Sequence, residues 1–299
     1  MRILITGASG FIGSKLISKL ADSEVEILAL GRNVSQKNNS NIRWHNADLT
    51  KPNSYESTIS DFSPNIVVHL SWQDIPDYSL EASVNNLYQS INFISFVSGL
   101  MSCERVIISG SCSEYGHVNG QCSEQNTLYP TSYLGLSKKS LYEWAKITLE
   151  MKSIDLFWFR IFYVYGPGQR KESLIPSIFS SLSMGNEPVL KTPLNSNDYI
   201  YISDVISAFE TSILRDVEPG VYNLGSGKSY SAIEICSFTE KIIKNSNKLS
   251  YSIMSKLQST KIDKGFWSDI SKAKSKLHWS PKVKIEDGIS LTWNSLIDS

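Results

Sequence analysis

Thr6-Gly7-Ala8-Ser9-Gly10-Phe11-Ile12-Gly13 spaces three glycines as a pyrophosphate-holding turn requires. Gly7 permits the tight turn, Gly10 lets phosphate oxygens approach the main chain, and Gly13 lets a helix pack closely on the preceding strand. The helix N-terminus adds free N–H groups and a partial positive charge. The chemistry served is dinucleotide binding. At the end of the second strand an acidic residue would bond the 2′-hydroxyl of NAD, but this chain reads Leu30-Gly31-Arg32-Asn33. With no carboxylate to repel a phosphate and a guanidinium to grip it, NADP is the expected cofactor and NAD the less favoured one. The competing reading of Arg32 is a solvated surface charge. Asp48 and Leu49, in Ala-Asp-Leu-Thr, can meet the adenine, although Asp48 reads equally well as a turn cap.

The elements that must position these residues follow from the pattern. Arg2 to Thr6 is a β-branched run ending at the glycines, and Ile12, Leu16, Ile17 and Leu20 then recur at helical spacing. Val25 to Leu30, Ile66 to Leu70, Arg105 to Ser109 and Leu156 to Ile161 read as further strands, with helical stretches near 79–101 and 133–150. Strands alternating with helices imply right-handed crossovers and an α/β fold, a doubly wound parallel Rossmann sheet. Beyond residue 166 the pattern loosens into Gly-Pro-Gly, Met-Gly-Asn-Glu-Pro and Lys-Thr-Pro. The expected division is a cofactor domain over 1–167, to which 198–225 returns, and a smaller substrate lobe from 168–197 and 226–299. Asn/Ser/Lys-rich patches at 33–41 and 244–250 read as solvated loops.

Composition removes other classes. The 299 residues carry 29 Lys+Arg against 29 Asp+Glu, so no broad basic surface for nucleic acid is present. An anionic ligand must be held by a few placed donors. The longest apolar runs fall well below the roughly 20 residues of a membrane span. The N-terminal apolar stretch is too short for a signal peptide, and Cys103, Cys112, Cys122 and Cys236 lack CxxC spacing. The expectation is a cytoplasmic protein with free thiols and no membrane partner. His45, His69, His117 and His278 are scattered, and no metal is assigned.

TGASGFIG at 6–13, ADL at 47–49, VVHLS at 67–71, SGSCSEYG at 109–116, GLSK at 135–138, FRIFYVYGPGQ at 159–169, DYIYISDV at 198–205 and YNLGSGKSYS at 222–231 span nearly the whole chain. Together they resemble the extended short-chain dehydrogenase/reductases, the nucleotide-sugar epimerases, dehydratases and ketoreductases. The resemblance implies that Ser9, Phe11, Ile12, Leu70 and Ser71 join the glycines around the cofactor, and that the substrate is a nucleotide sugar. It also implies a homodimer paired through the helices after the fourth and fifth strands.

In that family a hydroxyl residue, a tyrosine and a lysine serve redox chemistry at the sugar C4. A proton must move on or off oxygen while hydride moves at carbon, and a lysine cation helps stabilise a phenolate whose free pKa is about 10. By resemblance the hydroxyl is Ser111 and the lysine is Lys138, which also anchors the nicotinamide ribose. Tyrosine belongs four residues before Lys138, on the same helical face. Leu134 stands there, and Tyr133 is one residue further back. Three readings compete: an irregular first helical turn swings Tyr133 into the site; Tyr163, Cys112, Glu114 or a water replaces it; or redox turnover is lost and the protein binds NADP to sense, scaffold or isomerise.

Other departures narrow the choice. Family dehydratases carry Asp-Glu after the hydroxyl position, where this chain has Cys112-Ser113, which argues against 4,6-dehydration. The family's Arg-Asp pair is Asn197-Asp198 here, leaving Arg160, Arg170, Lys171 or Lys191 to replace a diphosphate donor; Arg160 reads instead as buried and paired. Tyr163 presents a sugar-facing hydroxyl or packs in the core, and Trp72 stacks on a sugar or packs beneath a loop. Asn86 lies on the helix lining the site, mainly as a structural hydrogen-bonder. The expected function is NADPH-dependent reduction of an NDP-4-keto-6-deoxyhexose for deoxysugar or surface-polysaccharide assembly.

Overall fold

The computed structural model describes residues 1–34, 40–257 and 265–298. The chain runs β1 (Arg2–Thr6), α1 (Phe11–Leu20), β2 (Glu26–Gly31), β3 (Ile42–Asn46), α2 (Glu56–Phe62), β4 (Ile66–His69), α3 (Leu80–Ser98), β5 (Arg105–Ser111), β6 (Gly120–Cys122), α4 (Tyr133–Glu150), β7 (Asp155–Ile161) and β8 (Tyr163–Tyr165). It continues through α5 (Leu174–Ser183), β9 (Ser196–Asn197), β10 (Tyr199–Tyr201), α6 (Ile202–Leu214), β11 (Gly220–Leu224), β12 (Tyr230–Ser231), α7 (Ala232–Lys244), α8 (Lys248–Ser255), β13 (Phe266–Ser268), α9 (Ser271–Lys276) and α10 (Ile285–Ile297).

Seven strands form the main sheet in the order β11-β7-β5-β4-β1-β2-β3, every pairing parallel. Both faces are covered, which is why these strands read as nearly continuous apolar runs. Along β1, Ile3 and Ile5 join one core with Leu16, Ile17 and Leu20 of α1, while Leu4 joins the other with Val67, Val106 and Leu141. That alternation is the two-residue period of a strand. Chain order reverses between β1 and β4, so the turns after Thr6 and His69 open a crevice at the strands' carboxyl ends, the usual place for a ligand in such sheets.

A four-stranded sheet, β12-β9-β13-β6, and a parallel pair, β8 with β10, flank the carboxyl edge. β6 lies within 1–167 yet pairs with β13, so the small sheet draws on both sides of residue 167. The Asn/Ser/Lys-rich patch at 244–250 is not all loop. Asn245 adopts the left-handed conformation that ends α7, and α8 starts at Lys248. Of the patch at 33–41, residues 35–39 lie outside the described residues. No helix among the described residues is long and apolar enough to cross a membrane.

Candidate active site

The glycine turn is shaped as its spacing predicts. Gly7 has φ +65°, and a Cβ there would lie 2.9 Å from Leu70 C and Ser71 N; one on Gly13 would meet Gly7 O at 2.2 Å. Strand end, turn and helix therefore close together only with glycine at both positions. No side chain caps the N-terminus of α1, so its first N–H groups remain available to an anion.

A cleft of about 270 Å³ opens over this turn, lined by Gly7, Ser9, Gly10, Arg32, Leu49, Leu70, Ser71 and Trp72, with Gln73 at its edge. The structure thus brings together seven of the residues expected around the cofactor, with Trp72 beside them. Phe11 and Ile12 open α1, with their side chains partly buried against the core and their N–H groups in its first turn, and Gly13 lies beneath the turn. Asp48 turns to its own loop, accepting from the Thr50 N–H (3.0 Å) and hydroxyl (2.9 Å). Partial burial acts to raise its carboxyl, but the Thr50 bonds outweigh that and hold it below its ordinary value. Its carboxylate serves as the turn cap, and Asp48 does not line the cleft. Arg32 Nη1 reaches Gln73 Oε1 at 3.3 Å and Asp74 at 3.8 Å across the cleft edge.

Lys138 is almost wholly buried. Its ammonium donates to Ser109 O at 2.7 Å and lies 3.9 Å from the centre of the Trp72 ring. Burial pulls it down to about 7, with Glu114 opposing the shift. Trp72 therefore packs under the lysine as a cation–π platform. His69 nearby is held neutral, pushed down to about 3 by burial and then by Lys138. Its ring bonds Thr6 Oγ1 (2.9 Å) and Ser90 Oγ (3.1 Å), joining β1, β4 and α3.

Ser111 ends β5, two residues beyond the expected end of that strand, and caps the short turn 112–115. Its Oγ accepts from the Ser113 N–H (3.1 Å) and the Ser113 hydroxyl (2.8 Å), while its own N–H donates to Glu114 Oε1 (2.8 Å). Glu114 is fully buried, also receiving Trp158 Nε1 at 3.0 Å and Arg160 Nε at 2.9 Å. It faces the core and is removed from the candidate proton donors. Arg160 is the buried, paired structural residue its strand context suggested, bonding Tyr115 Oη as well.

Tyr133 corrects another expectation. The first turn of α4 is regular, with Ser132 accepting from the Gly135 N–H at 3.1 Å, and Tyr133 is half exposed at its first residue. No irregular turn swings it inward. Leu134 is the residue one helical turn before Lys138, and it is partly buried.

Two further cavities, of about 560 and 680 Å³, share Tyr163, Thr192, Asn195 and Asn197. The smaller also carries Arg170 and Lys191, the larger Cys112, Ser113 and Ser132. Tyr163 therefore faces both, with its phenol raised by burial and then by neighbouring Cys112, which favours the protonated form. Cys112 is buried and its thiol is pushed far up, so it is no thiolate. Asn86 lines none of these spaces: it is buried and spends its amide on Gln73 N (2.6 Å), Gln73 O (3.2 Å) and Ala82 O (2.8 Å), the structural hydrogen-bonding expected of it, which anchors the loop after β4. Sequence reasoning missed Gln73 and Ser113, polar residues without a motif of their own; Ser113 was visible only as the place where a dehydratase glutamate was lacking.

A family model described as NAD dependent epimerase/dehydratase matches residues 3–225. The chain belongs to that family. Among the relatives of this epimerase/dehydratase-family protein is the dTDP-4-dehydro-6-deoxyglucose reductase of Escherichia coli, 27% identical over 312 residues and covering 96% of this chain and 95% of that one. The UDP-glucuronate 4-epimerase of Thermodesulfobacterium geofontis is 25% identical, with 97% and 94% covered. In fold the family member is similar to the UDP-glucose 4-epimerase of Thermotoga maritima, solved with UDP-glucose, at a TM-score of 0.85 and 21% identity over 100% of this chain and 99% of that one. It is also similar to the UDP-glucuronic acid 4-epimerase of Bacillus cereus, solved with NAD, at 0.82 and 24% over the same shares.

Proposed function

We propose that this family member is an NADP(H)-dependent nucleotide-sugar oxidoreductase that reduces an NDP-4-keto-6-deoxyhexose. The observation that carries the reading is Lys138, buried on Trp72 and donating to Ser109 O of β5, the strand whose last residue, Ser111, carries a hydroxyl, beside a glycine turn at the end of β1. The full-length likeness to a dTDP-4-dehydro-6-deoxyglucose reductase supports the substrate class. Gly7, Ser9, Gly10 and the α1 N-terminus would hold the pyrophosphate, Arg32 a 2′-phosphate, and Lys138 the nicotinamide ribose. When bound, the reduced cofactor supplies hydride. Ser111 donates a hydrogen bond to the keto oxygen, and the Lys138 charge favours negative charge developing there. Tyr163, Arg170 and Asn197 bound the space for the nucleotide sugar. Tyr133 receives no role.

We also propose a homodimer, because Leu80, Val84 and Tyr88 of α3 and Trp144 and Ile147 of α4 expose large apolar side chains on two helices that pack together. A second reading, NADP binding without redox turnover, draws on one observation: the aliphatic Leu134 one turn before Lys138.

The test is NADPH oxidation by purified protein with a panel of NDP-4-keto-6-deoxyhexoses, beside Leu134→Tyr. Turnover by the wild type supports the reductase. No turnover by the wild type, with tight NADPH binding and activity appearing only in Leu134→Tyr, would establish the redox-silent reading instead.

A further inference from the structure

Leu134 leaves the reacting oxygen without the expected tyrosine hydroxyl, and the geometry around Ser111 shows what can replace it. A serine hydroxyl has two lone pairs and one hydrogen. Both acceptor positions on Ser111 Oγ are taken by Ser113, one by its N–H and one by its hydroxyl. The single valence left on Ser111 is its own O–H, which must point away from Ser113. Ser113 in turn is partly exposed and lines the cavity of about 680 Å³ beside Ser132 and Tyr163, a space wide enough for water. The arrangement is held rigidly. A Cβ on Gly135 would lie 2.3 Å from Ser113 O, which places the first turn of α4 directly against this peptide, and the Glu114 carboxylate fixes the Ser111 backbone from beneath.

We infer that Ser113 is a positioning residue for the proton transfer, passing a proton from cavity water through Ser111 to the substrate oxygen. The inference rests on the reductase reading above. In the step, the keto carbon gains hydride from the reduced nicotinamide and the C=O π pair moves to oxygen. That oxygen takes the Ser111 hydroxyl proton, Ser111 takes the Ser113 hydroxyl proton, and Ser113 takes one from water, leaving hydroxide to be neutralised by solvent. The nicotinamide is oxidised and the ketone reduced, so charges and electrons balance. Neither serine need persist as an alkoxide, because the protons move in concert along hydrogen bonds already formed.

Two measurements test the relay. In steady-state turnover with NADPH, Ser113→Ala should lower kcat by about 10- to 100-fold with KM nearly unchanged, Ser113→Thr should recover most of it, and a proton inventory bowed in the wild type should become linear in the alanine variant. In cofactor-free protein, where no turnover occurs, the infrared carbonyl stretch of a bound, isotope-labelled 4-keto sugar should move back toward its free frequency in Ser113→Ala and further in Ser111→Ala, because a donor that no longer accepts from Ser113 polarises the ketone less. The alanine keeps the 113 N–H cap, so a thermal midpoint matching the wild type excludes a folding effect. Wild-type turnover that Ser113→Ala leaves unchanged in kcat and inventory, or a carbonyl stretch indifferent to residue 113, overturns the relay alone. Absence of wild-type turnover overturns the reductase reading and the relay with it.

Discussion

The Lys138 ammonium rests 3.9 Å from the centre of the Trp72 ring and donates to Ser109 O at 2.7 Å. The pairing joins the start of the loop after β4 to the interior of α4 and buries the amino group. Burial sets its pKa near 7, against an ordinary 10.5, with Glu114 the counter-charge and His69 a neutral neighbour.

Activity and stability should respond to this lysine with opposite signs. As pH rises through about 7 the folded protein loses the ammonium, so turnover should fall on the alkaline side. Between about 7 and 10.5 the unfolded chain binds the proton that the folded chain has shed, so stability should rise with pH across that window. Chemical denaturation and initial rates over pH 6 to 10 check both, and Lys138→Met should remove both trends. A wild-type rate flat through that range would contradict the role given to the ammonium.

Glu114 and Arg160 should matter first for folding. The two are 2.9 Å apart, at 0% and 3% side-chain exposure. Removing one partner leaves the other buried and uncompensated, a loss of about 3–5 kcal/mol. Glu114→Ala should therefore lower the denaturation midpoint sharply, whereas exposed pairs such as Lys256–Glu187 should contribute about 1 kcal/mol or less when broken.

Arg32 should decide between the two dinucleotides. Arg32→Ala should weaken NADPH binding about tenfold or more, the scale of a charge-assisted fork, and leave NADH within about twofold. Asp74, 3.8 Å from the guanidinium, competes for the same charge, so Asp74→Asn should move NADPH affinity the other way. Fluorescence titration of both cofactors reads each effect; equal losses for NADH and NADPH in Arg32→Ala would remove Arg32 as the discriminator.

The sheet was legible because strands covered on both faces write themselves as apolar runs, and the glycine turn because Gly7 and Gly13 answer to steric demands that no other residue meets. The roles of single polar side chains were less legible, since they depend on partners distant in sequence. Asn86 reads mainly as a structural hydrogen-bonder from its helix, but its partner, Gln73, is not legible from that helix. Glu114 reads as a free acid until Trp158 and Arg160 close on it from β7. Tyr133 and Leu134 differ by one position, and only a regular first turn of α4 shows which of them shares a face with Lys138. Ser113 stood inside the Ser-Gly-Ser-Cys-Ser-Glu-Tyr-Gly motif only as a lacking glutamate, and its bonds to Ser111 came from the folded turn.

Asp198 has a consequence for the order in which the molecule is made. Its buried carboxylate accepts from the N–H and hydroxyl of Ser226, the N–H of Gly227, and the N–H and hydroxyl of Ser268, partners as far as 70 residues downstream. Its backbone oxygen meanwhile receives the N–H of Tyr163. Until the polypeptide has been extended past residue 268, this carboxylate has only part of its donors, and an unsatisfied buried acid is costly. The cavity wall that carries Tyr163 and Asn197 is thus finished late, after the cofactor turn, whose parts lie within the first third of the chain. The dinucleotide crevice is lined from Thr6 to Gln73, whereas the wall of the sugar cavity is tied down by donors as distant as Ser226 and Ser268.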